Sequence, residues 1–215
     1  MDKSIALIAM AFALPGCINE DRRQHADADY CPREVVRSDH VSPSLPSEFK
    51  AVRYLVKLTS IGEKGACERN VMVAPELAAR FMGGMLLGGD RGEWGGELVF
   101  RNSRGKDNTL LKENVVSIEV VEQNAYVFTG LSHLGSSFGS MYVVTNGLPP
   151  RLLLKFDSPP SNVSFDEKSE LRLRFDAPSA EKSDVENAKD SKYLCFSLQG
   201  GRKPVEFACD GRNMP

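Results

Sequence analysis

Several things are scarce in this chain of 215 residues, and each scarcity closes off a class of function. The longest uncharged apolar run near the N-terminus, residues 5–14, is half the roughly 20 residues that a membrane-spanning helix needs. Beyond residue 17 no cysteine forms a C-x-x-C pair or has a histidine at ligand spacing, which argues against zinc. Of the three histidines, only His133 lies in the body of the chain, so no metal site is expected. The glycine-rich segments lack Gly-Lys-Ser/Thr, so none is a phosphate-cradling loop. No basic stripe with interleaved aromatics occurs, and the net charge is −2, which excludes nucleic acid as the expected partner. No cofactor is implied.

What is present begins at the N-terminus. The apolar run has the length of a secretory h-region and leads into Leu14-Pro15-Gly16-Cys17. Ala11-Phe12-Ala13 offers an alternative A-x-A cleavage, but its signal would be shorter than the usual 15–30 residues. The Leu14-Pro15-Gly16-Cys17 segment resembles the lipobox of bacterial lipoproteins, with Pro15 departing from the commoner Ala or Ser. The resemblance implies a signal peptide over residues 1–16 and acyl chains, palmitate among them, on Cys17. Several acyl chains, each methylene contributing about 0.8 kcal/mol, hold a protein stably on a membrane where one chain does not. Ile18 follows the cysteine, where Asp would favour inner-membrane retention, so the outer membrane facing the periplasm is the expected location.

Lipidation of Cys17 leaves Cys31, Cys67, Cys195 and Cys209, an even set in an oxidising compartment. Four cysteines allow three pairings. The local one joins Cys31 to Cys67 and Cys195 to Cys209, the latter pair straddling Gly200-Gly201-Arg202 as a hairpin disulfide would. Strand alternation sets Cys195 on the face opposite Leu194, Phe196 and Leu198 but Cys209 on the face of Val205 and Phe207, so a direct cross-strand pair is expected to need a bulge or a different register.

Residues 17–48 read as a lipidated N-terminus and flexible tether, rich in charge and then in Ser and Pro. Residues 49–215 read as a single β-rich domain. Val52, Tyr54, Val56 and Leu58 alternate on one face of a strand over 51–59. Further strands are expected over 69–73, 97–101, 115–121, 125–130, 140–146, 151–156, 170–176, 193–199 and 204–209. A short helix is expected near 75–87, with Pro75 at its start and Gly83-Gly84 ending it. Residues 178–192 read as a polar loop. The fold class is all-β, a propeller-like or sandwich sheet array, with β-rich α+β as the alternative. A repeat near fifty residues supports the propeller form: Glu97-Leu98-Val99-Phe100 with Asn114-Val115-Val116 is echoed by Arg151-Leu152-Leu153-Leu154 with Asn162-Val163-Ser164.

Three segments invite a chemical reading. Gly135-Ser136-Ser137-Phe138-Gly139 matches the hydrolase elbow G-x-S-x-G, but a strand rather than a helix follows, and every histidine precedes Ser137. A Gly/Ser hairpin turn fits better, and no catalytic residue is assigned. His133 could contact a ligand or fix a turn. Residues 88–96 place Asp90, Arg91 and the only tryptophan, Trp94, among glycines. Trp and Arg are enriched at binding hot spots, so Asp90, Arg91, Trp94 and His133 are the candidate partner-binding residues, the competing reading being that Trp94 plugs the core. Residues 94–100 and 126–142 resemble segments of uncharacterised exported bacterial proteins with propeller-like repeats, a resemblance that implies no activity. Three functions follow, in order: a non-enzymatic envelope module binding a protein or glycan, an immunity or inhibitor lipoprotein acting against a toxic hydrolase, and a hydrolase.

Overall fold

A strand that is apolar on alternate residues needs one neighbouring layer; a strand that is apolar at every position needs two. This chain has both kinds. The computed structural model describes residues 42–62, 65–133, 136–145, 149–166, 170–176, 191–198 and 203–209. Among them the fold is all-β, with fourteen strands in four antiparallel sheets. Strands β1 (Tyr54–Gly62) and β2 (Gly65–Val73) form a hairpin. The second sheet is the meander β3 (Leu77–Phe81), β4 (Gly84–Gly89), β5 (Glu97–Arg101) and β6 (Asp107–Leu111). The third is β7 (Val115–Val121), β8 (Asn124–His133), β9 (Ser136–Val144) and β10 (Arg151–Phe156). The fourth is β11 (Asn162–Phe165), β12 (Glu170–Phe175), β13 (Lys192–Ser197) and β14 (Val205–Phe207).

The sheets stack like the layers of a sandwich, with an apolar core between each pair. Tyr54, Val56 and Val73 of the hairpin pack on Leu87 and Val99 of the second sheet. The opposite face of that sheet supplies Phe81, Leu86 and Leu98 against Val115, Ala125, Val127 and Val144 of the third. Tyr126, Phe128, Met141 and Val143 then face Leu171, Leu173, Phe175 and Phe196 of the fourth. Neighbours along one strand thus serve different cores: Leu86 and Leu87 are both fully buried, as are Val127 and Phe128. Inner sheets covered on both faces explain the unbroken apolar runs of β4, β5, β8 and β9. The outer strand β12 alternates instead, burying Leu171, Leu173 and Phe175 and not Arg172 and Arg174.

The helix expected near 75–87 is a hairpin. Phe81 pairs with Gly84, leaving Met82-Gly83 as a two-residue loop with φ of 48° and 72°. Positive φ at both loop positions is what a tight hairpin turn requires. The helix-forming local sequence Glu76-Leu77-Ala78-Ala79-Arg80 is overridden because buried Phe81 and half-buried Leu77 pack toward the third sheet while half-buried Ala78 packs toward the hairpin, which a strand achieves and a helical stripe does not. Among the described residues the only helical turns are short 3-10 turns, at Ser47–Phe49 and Gly92–Trp94. The first holds the start of the body in place. Leu45 and Phe49 are each 3% exposed, so packing begins ahead of residue 49, and the Arg80 guanidinium lies 5.8 Å from the Phe49 ring centre.

The fifty-residue echo is half structural. Asn114 and Asn162 introduce β7 and β11, each the first strand of its sheet, but β5 is a third strand and β10 a fourth. Cys195 and Cys209 are disulfide-bonded, with Cα atoms 5.9 Å apart. No bulge is needed. Cys195 pairs with Phe207, so Phe207 and Cys209 share the face of Cys195, while Phe196 turns to the opposite, core side. Cys31, the side chain of Cys67 and residues 178–190 of the polar loop lie outside the described residues, whereas Lys192 opens β13.

Peptide mapping without reduction should recover Cys195–Cys209 and Cys31–Cys67, and a Cys31–Cys195 link would overturn the pairing. Cys209→Ser should lower stability by about 3 kcal/mol, the chain-entropy contribution of a closed loop near 15 residues, measured by urea denaturation.

Candidate functional site

The glycine-rich segment is the connection from β4 to β5, closed by the pair Gly89 and Glu97. Within it Gly92–Trp94 forms a 3-10 turn, and Gly95 continues at φ 80°. Asp90 leads into the turn, its Oδ1 accepting the Gly92 amide at 2.9 Å. Gly96 permits the crossing. A Cβ there would stand 2.2 Å from the Gly89 carbonyl oxygen and 2.5 Å from the Asn114 Cα, closer than atoms can approach.

Arg91 folds back under this loop. Its two terminal nitrogens donate to the two carboxylate oxygens of Glu97, Nη1 to Oε1 at 2.8 Å and Nη2 to Oε2. The Tyr54 hydroxyl, from β1, donates to the same Glu97 Oε1. The Arg91 and Glu97 side chains are 13% and 9% exposed, and Tyr54 is fully buried. Burial and the Glu97 charge together hold the Tyr54 phenol far above its ordinary pKa. Burial opposes the charge on Arg91, but hydrogen bonding and attraction to Glu97 more than offset it and raise its pKa. A paired, two-pronged guanidinium–carboxylate contact is the arrangement in which a buried charge is tolerated.

The link from the second to the third sheet completes the framework through two consecutive residues. Asn114 accepts the Arg91 amide at 3.2 Å and donates to the Gly92 carbonyl at 2.6 Å. Glu113 turns the other way and accepts from Thr129 at 2.5 Å and from the Tyr142 hydroxyl at 2.6 Å. Burial, then Glu113, push the Tyr142 phenol up to about 12. On the sheet itself, burial raises the pKa of Glu119 against a hydrogen bond from Ser117.

Of the four candidate binding residues, Asp90 and Arg91 therefore serve the loop's own architecture. His133 ends β8 and meets the loop, its Nε2 3.1 Å from Glu93 Oε2, with both side chains roughly half exposed. Trp94 lies in the 3-10 turn, and its side chain is outside the described residues. Ser137 pairs with Ser132, and Ser136 with His133, in a β-hairpin rather than a strand–turn–helix elbow. In the sequence Tyr54 reads only as a strand residue, Glu97 and Asn114 only as members of the fifty-residue echo, and Glu113 stands out in no way. Only Glu97 carried a local signal, a charge opening an apolar strand.

Two clefts flank β6. One, about 440 Å³, is apolar and lined by Phe81, Phe100, Leu110, Val144, Pro149 and Pro150. The other, about 380 Å³, is mixed, lined by Leu55 and Val56 together with Lys57, Glu68, Arg91, Glu97, Thr109 and Lys112. Among the described residues no cluster of three His, Cys, Asp or Glu could hold a metal, and no helix is long and apolar enough to cross a membrane.

Arg91→Ala should cost about 3–5 kcal/mol by stranding the Glu97 carboxylate, a fall in Tm of roughly 6–20 °C by calorimetry. An unchanged Tm would remove the structural role. Alkaline stability is a second test. A phenol whose pKa is raised by folding binds its proton more tightly in the native state, so its contribution is complete below the unfolded value near 10 and is lost as pH rises. Unfolding free energy should therefore fall between about pH 10 and 12 through Tyr142 and continue to fall at higher pH through the more deeply buried Tyr54. Tyr142→Phe should flatten the fall between pH 10 and 12. No family model, no curated protein and no solved structure matches this chain.

Proposed function

We propose that this chain is an exported lipoprotein, anchored in the bacterial envelope through Cys17, whose β body is a non-enzymatic binding module facing the periplasm. The observation that carries the binding reading is the bracing of the 90–96 loop from beneath. Its one cation, Arg91, is neutralised below it by Glu97 of β5, and Asn114 ties its backbone to the next sheet. A loop held from beneath presents its outer side, where Glu93 meets His133, at little entropic cost to a partner. The anchor rests on Leu14-Pro15-Gly16-Cys17 and the apolar run before it. The partner is a protein or glycan of the envelope. An inhibitor or immunity role against a toxic hydrolase is a narrower form of the same reading, in which the braced loop enters an enzyme cleft.

One observation favours a hydrolase instead. Glu93, His133 and Ser136 come together at one end of the β8–β9 hairpin, a carboxylate, an imidazole and a hydroxyl. Against it, all three are solvent-exposed, and catalytic hydrogen bonds gain strength from exclusion of water.

Labelled palmitate and membrane fractionation test the anchor: Cys17→Ser should take up no label and move to the soluble fraction. Retention on membranes with label equal to wild type ends the lipoprotein reading. A fluorophosphonate probe separates binder from hydrolase, since labelling of Ser136 that disappears in His133→Ala would establish the hydrolase.

A further inference from the structure

The space between the second and third sheets ends differently at its two ends. At one end the 90–96 loop joins Gly89 to Glu97, and its Glu93 meets His133 of β8. At the other end, where Met82-Gly83 turns β3 into β4, the layers part around the apolar cleft of about 440 Å³. That volume falls within the roughly 300–1,000 Å³ of small-molecule sites. The second sheet supplies one wall, with buried Phe81 and half-buried Phe100. The third sheet supplies the other, with buried Val144 and, in the connection to β10, Pro149 and Pro150. Gly84 makes room for the cleft. A Cβ there would stand 2.9 Å from the Phe100 ring, so the ring lies against β4 only because position 84 has no side chain.

The lining sets the chemistry of an occupant. Among the described residues none that borders the cleft is charged, so an ion drawn into it would lose water with no partner to replace it. Polar side chains stand at the rim, Asn108 and Thr109 exposed on β6 and Thr145 half-buried after β9. The Phe81 and Phe100 rings meet edge to face, their centres 6.5 Å apart and their planes at 83°. A third ring can join such a pair at about 4.5–7 Å between centres, and the rings of Pro149 and Pro150 offer a flat apolar surface across the cleft. An apolar cavity of about 150 Å³ holds one benzene, so this cleft has room for about two or three rings. We propose that it is a binding site for a small, uncharged ligand of two or three flat rings, seated between Phe81, Phe100 and Pro150 with a hydrogen-bonding group at Asn108 or Thr145. The site lies at the opposite end of the second sheet from the 90–96 loop and is independent of the binding-module reading. An alkyl chain is a poorer occupant, because each of its rotatable bonds must be ordered in the cleft and it gains nothing from ring–ring geometry.

The test uses the full chain carrying Cys17→Ser, so that no detergent competes for the cleft, and the uncharged dye N-phenyl-naphthylamine, whose fluorescence rises in apolar surroundings. Its sulfonated analogue, anilinonaphthalene sulfonate, is the charged control. The expected result is a single saturable site per chain with a dissociation constant of tens of micromolar. The sulfonated dye should bind at least about tenfold more weakly. Asn108→Trp lays an indole over the mouth of the cleft from an exposed position, and Thr145→Asp brings a charge to its rim. Each should weaken the uncharged dye at least about tenfold, with circular dichroism and Tm matching the parent to show both variants folded. Naphthol should displace the dye at lower concentration than decanol. Fluorescence that rises without saturating, equal affinity for the sulfonated dye, undiminished binding in both variants, or displacement by decanol as readily as by naphthol would each overturn the proposal. A dimer in sedimentation that the dye dissociates would make a second copy the occupant and overturn it as well. None of these outcomes touches the binding-module reading, which stands or falls on capture of an envelope partner.

Discussion

The carboxylate of Glu97 sits where three parts of the molecule meet. It receives the hydroxyl of Tyr54 from the hairpin and the guanidinium of Arg91 from the β4–β5 loop, and it belongs to the first residue of β5. A charge this far from water is tolerated only when its lone pairs are filled. The pairing therefore fixes the position of β1 against the second sheet and the path of the loop above it. Tyr54 also belongs to the apolar core with Val56, Val73, Leu87 and Val99, so the polar contact and the packing of the hairpin depend on the same side chain. Asn114 extends the framework into the third sheet through the amide of Arg91.

Around that point the molecule is a stack of layers rather than a shell around one core. Strands in the two inner sheets are buried on both faces and carry alternate side chains into different cores. The consequence for function is geometric. Sheet interiors are consumed by packing, which leaves loops, hairpin ends and sheet edges as the places where a partner can be met. The 90–96 loop is one such place and the edge of β6 another, and both border the mixed cleft. Thr109, exposed at the midpoint of β6, marks the point where the faces of the sheet change from apolar to charged surroundings.

Strand content was largely legible in the sequence because period-two alternation and unbroken apolar runs are local. The stretches 97–101, 115–121 and 151–156 coincide with β5, β7 and β10. Strands β3 and β4 were not legible, since Leu77-Ala78-Ala79-Arg80 has helical propensity and the turn Met82-Gly83 lacks the Asn-Gly signature of a tight hairpin. Strand β6 escaped notice because an exposed edge has a weak apolar pattern. At the candidate site, composition drew attention to Arg91, Trp94 and His133. It did not reveal that Arg91 is turned inward, because its partner Glu97 is itself held by a tyrosine 43 residues away in the chain.

The sequence by itself determined the β class and the approximate positions of most strands, and it favoured the local pairing of Cys195 with Cys209. Those are properties of short segments, readable from periodicity, composition and spacing. Only the tertiary structure decided that residues 75–87 form a hairpin, that Cys195 and Cys209 share a face, and that Arg91 supports the loop instead of projecting from it. Each of these depends on which layer lies against which face of a strand. That is settled by the stacking of sheets whose residues are distant in the chain, and no local pattern encodes it.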